Sequence, residues 1–237
     1  MYFIYYLFLF YIYSILGWIL ETLYVSILNK KITDRGFLIG PYCPIYGIGA
    51  LIIIIYLTQY NNNPLTVFLM GMILCSILEY FTSHIMEKLF KARWWDYSNN
   101  KYNLNGRICL KNSSLFGLSG IAVIYLTQPL INNILPSTTT PIIVTTIIFS
   151  TIFIIDLIIS LKVVSSFKKT IKNIDFKKDS TAEFSKLVKE TLHNKFFQKR
   201  LFTAFPNIDL SKLTDIKNEI IEIKDDLKNG LKERLKK

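Results

Sequence analysis

Long, uncharged apolar runs dominate the pattern of this chain. No Asp, Glu, Lys or Arg occurs from residue 36 to 78 or from 112 to 155. With its flanks, each run reaches roughly 20 residues, the length of helix that crosses a hydrocarbon core of about 30 Å. The pattern therefore predicts an all-α, polytopic membrane protein with about five transmembrane helices. The apolar runs cover residues 2–20, 44–60, 64–78, 115–135 and 141–155.

The basic residues predict how these helices are oriented. Lys and Arg are concentrated in the connections at 29–35 and 87–111 and after residue 156, whereas the connections at 61–63 and 132–140 contain none. Since cytosolic loops carry an excess of Lys and Arg, we expect the N-terminus outside and the C-terminus inside. The pattern predicts a multipass protein of the cell membrane with membrane lipids as its surroundings.

Residues 166–237 differ from the membrane domain that we predict for residues 1–165. They carry 18 of the 28 basic residues, and the net charge of the whole chain is +11. Apolar residues at three- and four-residue spacing predict a basic, cytosolic helical tail. Such a segment beside an anionic leaflet is typical of a helix that lies on the membrane or packs on its own domain. No nucleic acid partner is expected, because no recognised binding motif accompanies the charge.

Three acidic residues stand alone inside apolar stretches: Glu21, Glu79 and Asp156. A charged side chain inside a membrane span costs about 2.5–3.5 kcal/mol on insertion scales, so it normally faces the bundle interior or a water-filled cavity. All three lie in the predicted cytosolic halves of their helices, where Arg35 and Arg107 are expected to reach them from the loops. The acids therefore predict a polar pocket that is open to the cytosol.

The two cytosolic loops are chemically richer than connectors need to be. In the first loop, Pro41 and Pro44 leave two interpretations open: a re-entrant segment with its backbone satisfied inside the protein, or an interfacial turn. In the second loop, Trp94 and Trp95 are typical of the headgroup belt. Polar loop residues extend the candidate pocket, which comprises Glu21, Glu79, Asp156, Arg35, Arg107, Asp96, Asn105 and Tyr46.

Several kinds of chemistry lack the residues that they require. The three cysteines give no disulfide framework, and the two histidines are isolated, so we expect no metal site and no cofactor. No P-loop occurs, so this chain is not itself the ATPase. Neither a Gly-x-Ser-x-Gly nor a His-Glu-x-x-His motif is present, and catalytic residues therefore stay unknown.

The membrane domain contains a faint internal repeat. Ile19-Leu20-Glu21 recurs as Ile77-Leu78-Glu79, and in both halves a cysteine further along precedes a glycine-containing segment. We expect a tandem helical hairpin over residues 1–60 and 64–135, with an approximate two-fold axis along the membrane normal. A fifth, unpaired helix follows the two hairpins.

Three longer strings are specific enough to suggest a family. They run from Arg35-Gly36-Phe37 to Tyr46-Gly47, over Trp95-Asp96-Tyr97-Ser98, and over Asn105-Gly106-Arg107-Ile108-Cys109-Leu110. They resemble a family of small multipass membrane proteins labelled CmpB-like, or putative ABC-transporter type IV permease. The resemblance covers about residues 1–165 and does not include the tail. It implies transport, for which an ATP-driven version would need a separate ATPase subunit and an oligomer.

Three functions stay open on these grounds. The first is a transporter permease subunit, driven by a partner ATPase or by proton exchange at the buried acids. The second is a membrane-embedded enzyme acting on lipid headgroups or lipid-linked substrates, with a glutamate as general base and Arg35 and Arg107 holding phosphate. The third is a regulatory membrane scaffold, in which Glu21 and Glu79 only lock helices together.

Overall fold

Helices make up almost all of the regular structure. The computed structural model describes residues 2–30, 33–90, 93–135, 139–172 and 204. Within these ranges, a two-stranded antiparallel hairpin, β1 (Asn103–Leu104) and β2 (Ile108–Cys109), lies just before the fourth helix. The helices are α1 (Tyr2–Asn29), α2 (Pro44–Leu57), α3 (Pro64–Phe90), α4 (Leu110–Ala122), α5 (Gln128–Ile134) and α6 (Thr139–Lys172).

Four helical stretches are long and apolar enough to cross a membrane, which confirms the predicted all-α membrane fold. Pro44–Tyr60, which combines α2 with a 3-10 turn, is apolar but shorter. The predicted count of five crossings therefore depends on this segment and on the irregular chain before it. The four long stretches are Tyr2–Ile27, Pro64–Phe90, Leu110–Ile134 and Thr140–Val163.

After α1 the chain turns back and runs alongside this helix toward its middle. The amide of Thr33 donates to Ser26 Oγ (3.0 Å), and ten residues later the amide of Cys43 donates to the carbonyl of Ser14 (2.9 Å). At 1.5 Å per residue, Ser14 lies roughly 22 Å from the C-terminal end of α1. The structure therefore favours the re-entrant interpretation of this loop. We call residues 33–43 the re-entrant segment.

As a result, α2 begins deep within the bundle, directly after Cys43. Pro44 suits the first turn of a helix, where its missing N–H would have no partner in any case. Gly47 allows α2 to approach α1 closely, because a Cβ at this position would lie 2.3 Å from Ser14 Oγ and 2.5 Å from the backbone oxygen of Phe10. The re-entrant segment and α2 are thus joined inside the bundle, beside the middle of α1.

α3 and α4 form the second closely packed pair. Gly71 and Gly120 meet where the two helices approach, and a Cβ on Gly71 would lie 3.6 Å from the Cα of Gly120. Nearer the loops, Ser76 Oγ donates to Ser113 Oγ at 2.7 Å. Small residues let membrane helices approach closely. The apolar core between the two pairs includes Leu9, Ile53, Leu57, Val67 and Val123.

Pro129 explains an irregular turn in the stretch Leu110–Ile134. A proline has no N–H to donate to the carbonyl one turn earlier, here that of Tyr125. The chain responds with a π-helical turn at Val123–Thr127, which joins α4 to α5. Such turns occur frequently at functional sites, and this one leads directly into the buried side chain of Gln128.

α6 packs mainly against α1. The rings of Phe10 and Phe153 meet edge to face with centroids 5.7 Å apart, and the Tyr11 hydroxyl donates to Ser150 Oγ (2.9 Å). The helix continues through the domain boundary predicted at residue 165. Beyond Lys172, the helical tail that we predicted lies outside the described residues, apart from Ala204.

Candidate functional site

Glu21 is bound by Arg35 of the re-entrant segment. Its Oε1 atom accepts hydrogen bonds from Arg35 Nε (3.2 Å) and Nη2 (3.0 Å). Thr22 Oγ1 accepts from the amide of Arg35 (3.4 Å), and Arg35 also donates to the carbonyl of Ala204. The pairing that we expected between this acid and Arg35 is present, and it fastens the re-entrant segment to α1.

Glu79 lies in the bundle interior, where the described residues provide no basic partner for it. The residue is 6% exposed, and the Tyr97 hydroxyl donates to its Oε1 atom (3.1 Å). Its Oε2 atom is buried and has no hydrogen-bond partner in the part of the chain that the structure describes. The carboxylate of Glu21 and the thiol of Cys75 are near enough to interact with it electrostatically. A negative charge here would be uncompensated, which is costly at low dielectric.

Two phenols lie between the two glutamates. Tyr46, in the first turn of α2, interacts with Glu21, and Tyr97 of the second loop interacts with both Tyr46 and Glu79. Burial raises the pKa of Tyr97, and the Glu79 carboxylate raises it further. Tyr97 therefore keeps its proton at neutral pH and acts as a donor. We call Glu21, Tyr46, Glu79 and Tyr97 the paired-acid cluster.

Asp156 has a different environment, because it binds the backbone of the re-entrant segment. Its carboxylate accepts hydrogen bonds from two consecutive amides, those of Ile39 (3.0 Å) and Gly40 (2.6 Å). The hydroxyls of Tyr42 (2.5 Å) and Ser160 (2.9 Å) donate to it as well. Irregular backbone inside a membrane protein needs such partners. Asp156 thus anchors α6 to the re-entrant segment.

Arg107 binds Glu87, which lies two turns beyond Glu79 on α3. Its Nη2 atom is 2.7 Å from Glu87 Oε2, and Glu87 is 3% exposed. Arg107 Nη1 also donates to Ser83 Oγ (3.3 Å), and the guanidinium lies 5.6 Å from the centroid of the Tyr80 ring, within cation–π range. We expected Arg107 to reach one of the three lone acids, but the structure pairs it with Glu87.

Asp96 and Asn105 shape the second loop. Asn105 and Gly106 both have positive φ (52° and 65°) and are the central residues of a turn that the Arg107 amide closes on the Leu104 carbonyl (3.0 Å), a typical use of Asn-Gly. Asp96 Oδ1 accepts hydrogen bonds from the Ser98 amide (3.0 Å) and hydroxyl (2.6 Å). Burial acts to raise the pKa of Asp96, but these hydrogen bonds and the charge of Arg93 outweigh it and lower the pKa.

The two tryptophans that we predicted for the headgroup belt contact protein in the structure. Trp94 is buried in an aromatic cluster with Phe37 and Phe90, with ring centroids 5.4 to 5.8 Å apart. This cluster joins the re-entrant segment to the end of α3. Trp95 is half-buried, and its Nε1 atom donates to the carbonyl of Arg107 (3.1 Å).

A second polar cluster, which sequence reasoning missed, lies toward the opposite end of the bundle. The buried Gln128 donates through Nε2 to the Tyr5 hydroxyl (3.0 Å) and to Asn132 Oδ1 (2.9 Å), and its Oε1 atom accepts from Tyr13 (2.9 Å). The sequence feature that could have revealed this cluster is a glutamine directly before Pro129 within an apolar run. We call Gln128 and these three partners the glutamine cluster.

The matched family decides what kind of protein this is. Residues 8–161, more than half of the chain, match the model of the family described as "Putative ABC-transporter type IV". The chain belongs to this family. No curated protein and no solved structure matches it.

The matched part of this type IV family member contains all eight candidate pocket residues and excludes the whole tail. The structure brings Glu21, Arg35, Tyr46 and Glu79 together in or beside the paired-acid cluster. The other four candidates form separate contacts that hold the loops and α6. Within the described ranges, no group of three or more His, Cys, Asp or Glu side chains is placed to hold a metal ion.

Proposed function

We propose that this protein is a permease-type subunit of a membrane transporter, with a polar site at Glu79 that faces the cytosol. The main support for the proposal is the distribution of polar and apolar side chains around α3. Its buried face holds Val67, Gly71, Cys75, Ser76, Glu79, Ser83 and Glu87. Its exposed face is apolar at Leu65, Leu69, Ile73, Ile77, Phe81, Ile85 and Leu89, with His84 and Lys88 exposed near the C-terminal end. A helix that is apolar outside and polar inside suits a bundle that encloses a polar path through lipid.

Polar groups at both ends of the bundle support such a path. The paired-acid cluster lies on the side of the two loops, and the glutamine cluster lies toward the opposite side. Tyr13 belongs to the glutamine cluster, and its neighbour Ser14 accepts the amide of Cys43 at the start of α2. Interior polar residues of this kind line substrate and ion pathways in membrane proteins.

The structure gives less support to an enzyme that acts on lipid headgroups. That hypothesis assigned Arg35 and Arg107 to phosphate binding, but each guanidinium binds a carboxylate, that of Glu21 or Glu87. An incoming phosphate would have to break both ion pairs. A scaffold remains the second candidate function, because the same two pairs fasten loops to helices as a scaffold requires.

The proposed permease needs partners. The sequence contains no P-loop, so an ATP-driven version requires a separate ATPase, which we place against the two basic loops on the cytosolic side. The N-terminus is then outside the cell and α6 ends inside. A single bundle of this size encloses little space, and we propose that it works as an oligomer or with a second permease chain in the cell membrane.

The test is an uptake assay in which the substrate need not be identified beforehand. The protein, extracted from native membranes with its partners, is reconstituted into liposomes and incubated with a metabolite extract, with ATP or with a pH gradient. Mass spectrometry of the washed liposomes should find one class of metabolite that protein-free liposomes lack. If nothing accumulates under either energy source, the permease proposal fails.

Glu79→Gln separates the permease from the scaffold. As a permease, the variant should fold with a melting temperature near that of the wild type and lose accumulation. If the protein is a scaffold, the Glu79→Gln variant should be less stable than the wild type. Neither protein should then accumulate any metabolite. Ser119→Ala is the matched control on α4, since Ser119 is exposed and its hydroxyl donates to the helix backbone at Leu115 (2.9 Å).

A further inference from the structure

We infer that the coupling ion of this transporter is a proton and that Glu79 is the group that binds it. The inference rests on the proposed function and names the ion that would drive it. Among the carboxylates of the described bundle interior, that of Glu79 combines three features. It is deeply buried, one of its oxygens has no described partner, and no described cation is paired with it.

Arg35 and Arg107 are both paired with other acids. Arg35 donates twice to Glu21, and Arg107 lies 2.7 Å from Glu87. Glu79 therefore faces one hydrogen-bond donor, Tyr97, and no positive charge among the described residues. In such surroundings a carboxyl group favours its neutral, protonated form, since burial disfavours the charge and no cation restores it.

The groups that face Glu79 suit a proton better than a metal ion. From α1 comes the carboxylate of Glu21, from the second loop the phenol of Tyr97, and from α3 itself the thiol of Cys75. On α2, Tyr46 interacts with Glu21 and Tyr97. Hard cations need several oxygen ligands at once. The Glu21 carboxylate is already paired with Arg35, so besides Glu79 itself these groups leave two phenols and one thiol, which do not supply such a set.

The geometry also assigns the two oxygens of Glu79. Oε1 accepts the hydrogen bond from Tyr97, so it is the carbonyl oxygen, and the proton sits on the unpartnered Oε2. Binding converts the carboxylate and one proton into a neutral carboxyl group. Release places a second negative charge beside Glu21, where it competes for Arg35. Because Arg35 belongs to the re-entrant segment, the charge of Glu79 biases the position of that segment.

Infrared difference spectroscopy of the full chain in lipid nanodiscs tests this inference. Between acidic and alkaline pH, the wild type should show the carbonyl band of a protonated carboxyl group that persists at neutral pH. We expect Glu79→Gln to lose the band, Glu79→Asp to keep one, and Glu21→Gln to retain it. Tyr97→Phe should move the band to higher frequency, because the carbonyl oxygen loses its hydrogen bond.

Three results would overturn the inference: no such band in the wild type, a band that Glu79→Gln leaves intact, or a band that Tyr97→Phe does not move. The Tyr97→Phe result tests the inference even when Glu79→Gln does not fold. The uptake assay runs in parallel and separates the two proposals. Uptake without the band removes the proton site and leaves the permease, whereas the band without uptake removes the permease and leaves a buried proton site.

Discussion

Arg107 lies with its guanidinium 2.7 Å from the carboxylate of Glu87, and the two side chains are only 10% and 4% exposed. Arg93 Nε reaches the same carboxylate at 3.6 Å. Glu87 thus receives positive charge from both ends of the second loop and fixes that loop onto the end of α3. The loop in turn delivers Tyr97 to Glu79.

Glu87→Gln should strongly destabilise the protein. The change leaves the buried charge of Arg107 without its counter-charge, and breaking a buried ion pair by removing one partner costs about 3–5 kcal/mol. The free energy of unfolding in mixed micelles, measured against denaturing detergent, should fall by this order.

Glu21→Gln provides the comparison for this prediction. It removes the pair of Glu21 and Arg35, whose side chains are 24% and 18% exposed and hence better solvated. Water can replace part of that interaction, so the loss of stability should be smaller. Equal losses in the two variants would contradict the assigned difference in burial.

The two kinds of acid show what the sequence could reveal. Glu21, Glu79 and Asp156 were visible because they interrupt apolar runs, and a membrane tolerates such residues only for a reason. Glu87 could not be recognised as a buried acid from the sequence, because Lys88 follows it and such a charged pair is typical of an exposed helix end. Its burial depends on the folded second loop, whose contacts join distant residues and leave no periodic pattern.

The long helices were predictable from the sequence, whereas the depth at which α2 begins inside the bundle was not. Uniform hydrophobicity at 44–60 cannot show that Cys43 is bonded halfway along α1. The tandem repeat stays a prediction, but one parallel agrees with it. Both α2 and α4 begin one residue after a cysteine with extended backbone, Cys43 (φ −118°) and Cys109 (φ −144°).

Gly47→Ala should separate α1 from α2. The added Cβ would lie 2.3 Å from Ser14 Oγ and 2.5 Å from the carbonyl oxygen of Phe10, and backbone cannot move aside as easily as a flexible side chain. Overpacking of this kind costs about 1–3 kcal/mol. The melting temperature in nanodiscs should therefore drop.

Gly49→Ala is the matched control, one half-turn further along α2. The nearest atoms to its new Cβ would be 3.7 Å away, which is ordinary contact distance. We expect little change in melting temperature. If Gly49→Ala were as destabilising as Gly47→Ala, the loss would reflect substitution of any buried glycine rather than contact with α1.

Acid should loosen the second loop at a lower pH than an ordinary aspartate would predict. The pKa of Asp96 is lowered in the folded state, so its carboxylate stabilises the loop above the ordinary pKa of 3.8, and this contribution is lost as the pH falls through the lowered value. The Asp96 side chain is 37% exposed, so the effect is local.

The amide resonance of Ser98, which donates to Asp96, reports this titration by NMR. Its midpoint should lie below that of aspartate in an unfolded peptide, and Arg93→Gln should move it upward, because Arg93 contributes to the lowered pKa. Asp96→Asn should remove the transition. A midpoint at or above the ordinary pKa would show that burial, which acts in the opposite direction, prevails.

Asp156→Asn should release the backbone of the re-entrant segment. A carboxylate accepts the amides of Ile39 and Gly40 on separate oxygens, whereas an asparagine has one oxygen and turns an NH₂ group toward the other amide. A hydrogen bond to a charged group contributes about 1.5–3 kcal/mol. Exchange of these amides should therefore accelerate by roughly tenfold to a hundredfold.

Hydrogen exchange followed by mass spectrometry on peptides covering residues 36–43 measures this change. Ser160→Ala is the control, because it removes one donor to Asp156 (2.9 Å) and leaves both oxygens available to the segment. Its exchange should stay close to that of the wild type. If Asp156→Asn also exchanged at the wild-type rate, the segment would be held by its contacts with α1 and α3, and α6 could move independently of it. Fast exchange in Asp156→Asn would instead show that α6, through one carboxylate, controls the segment that positions Arg35 beside Glu21.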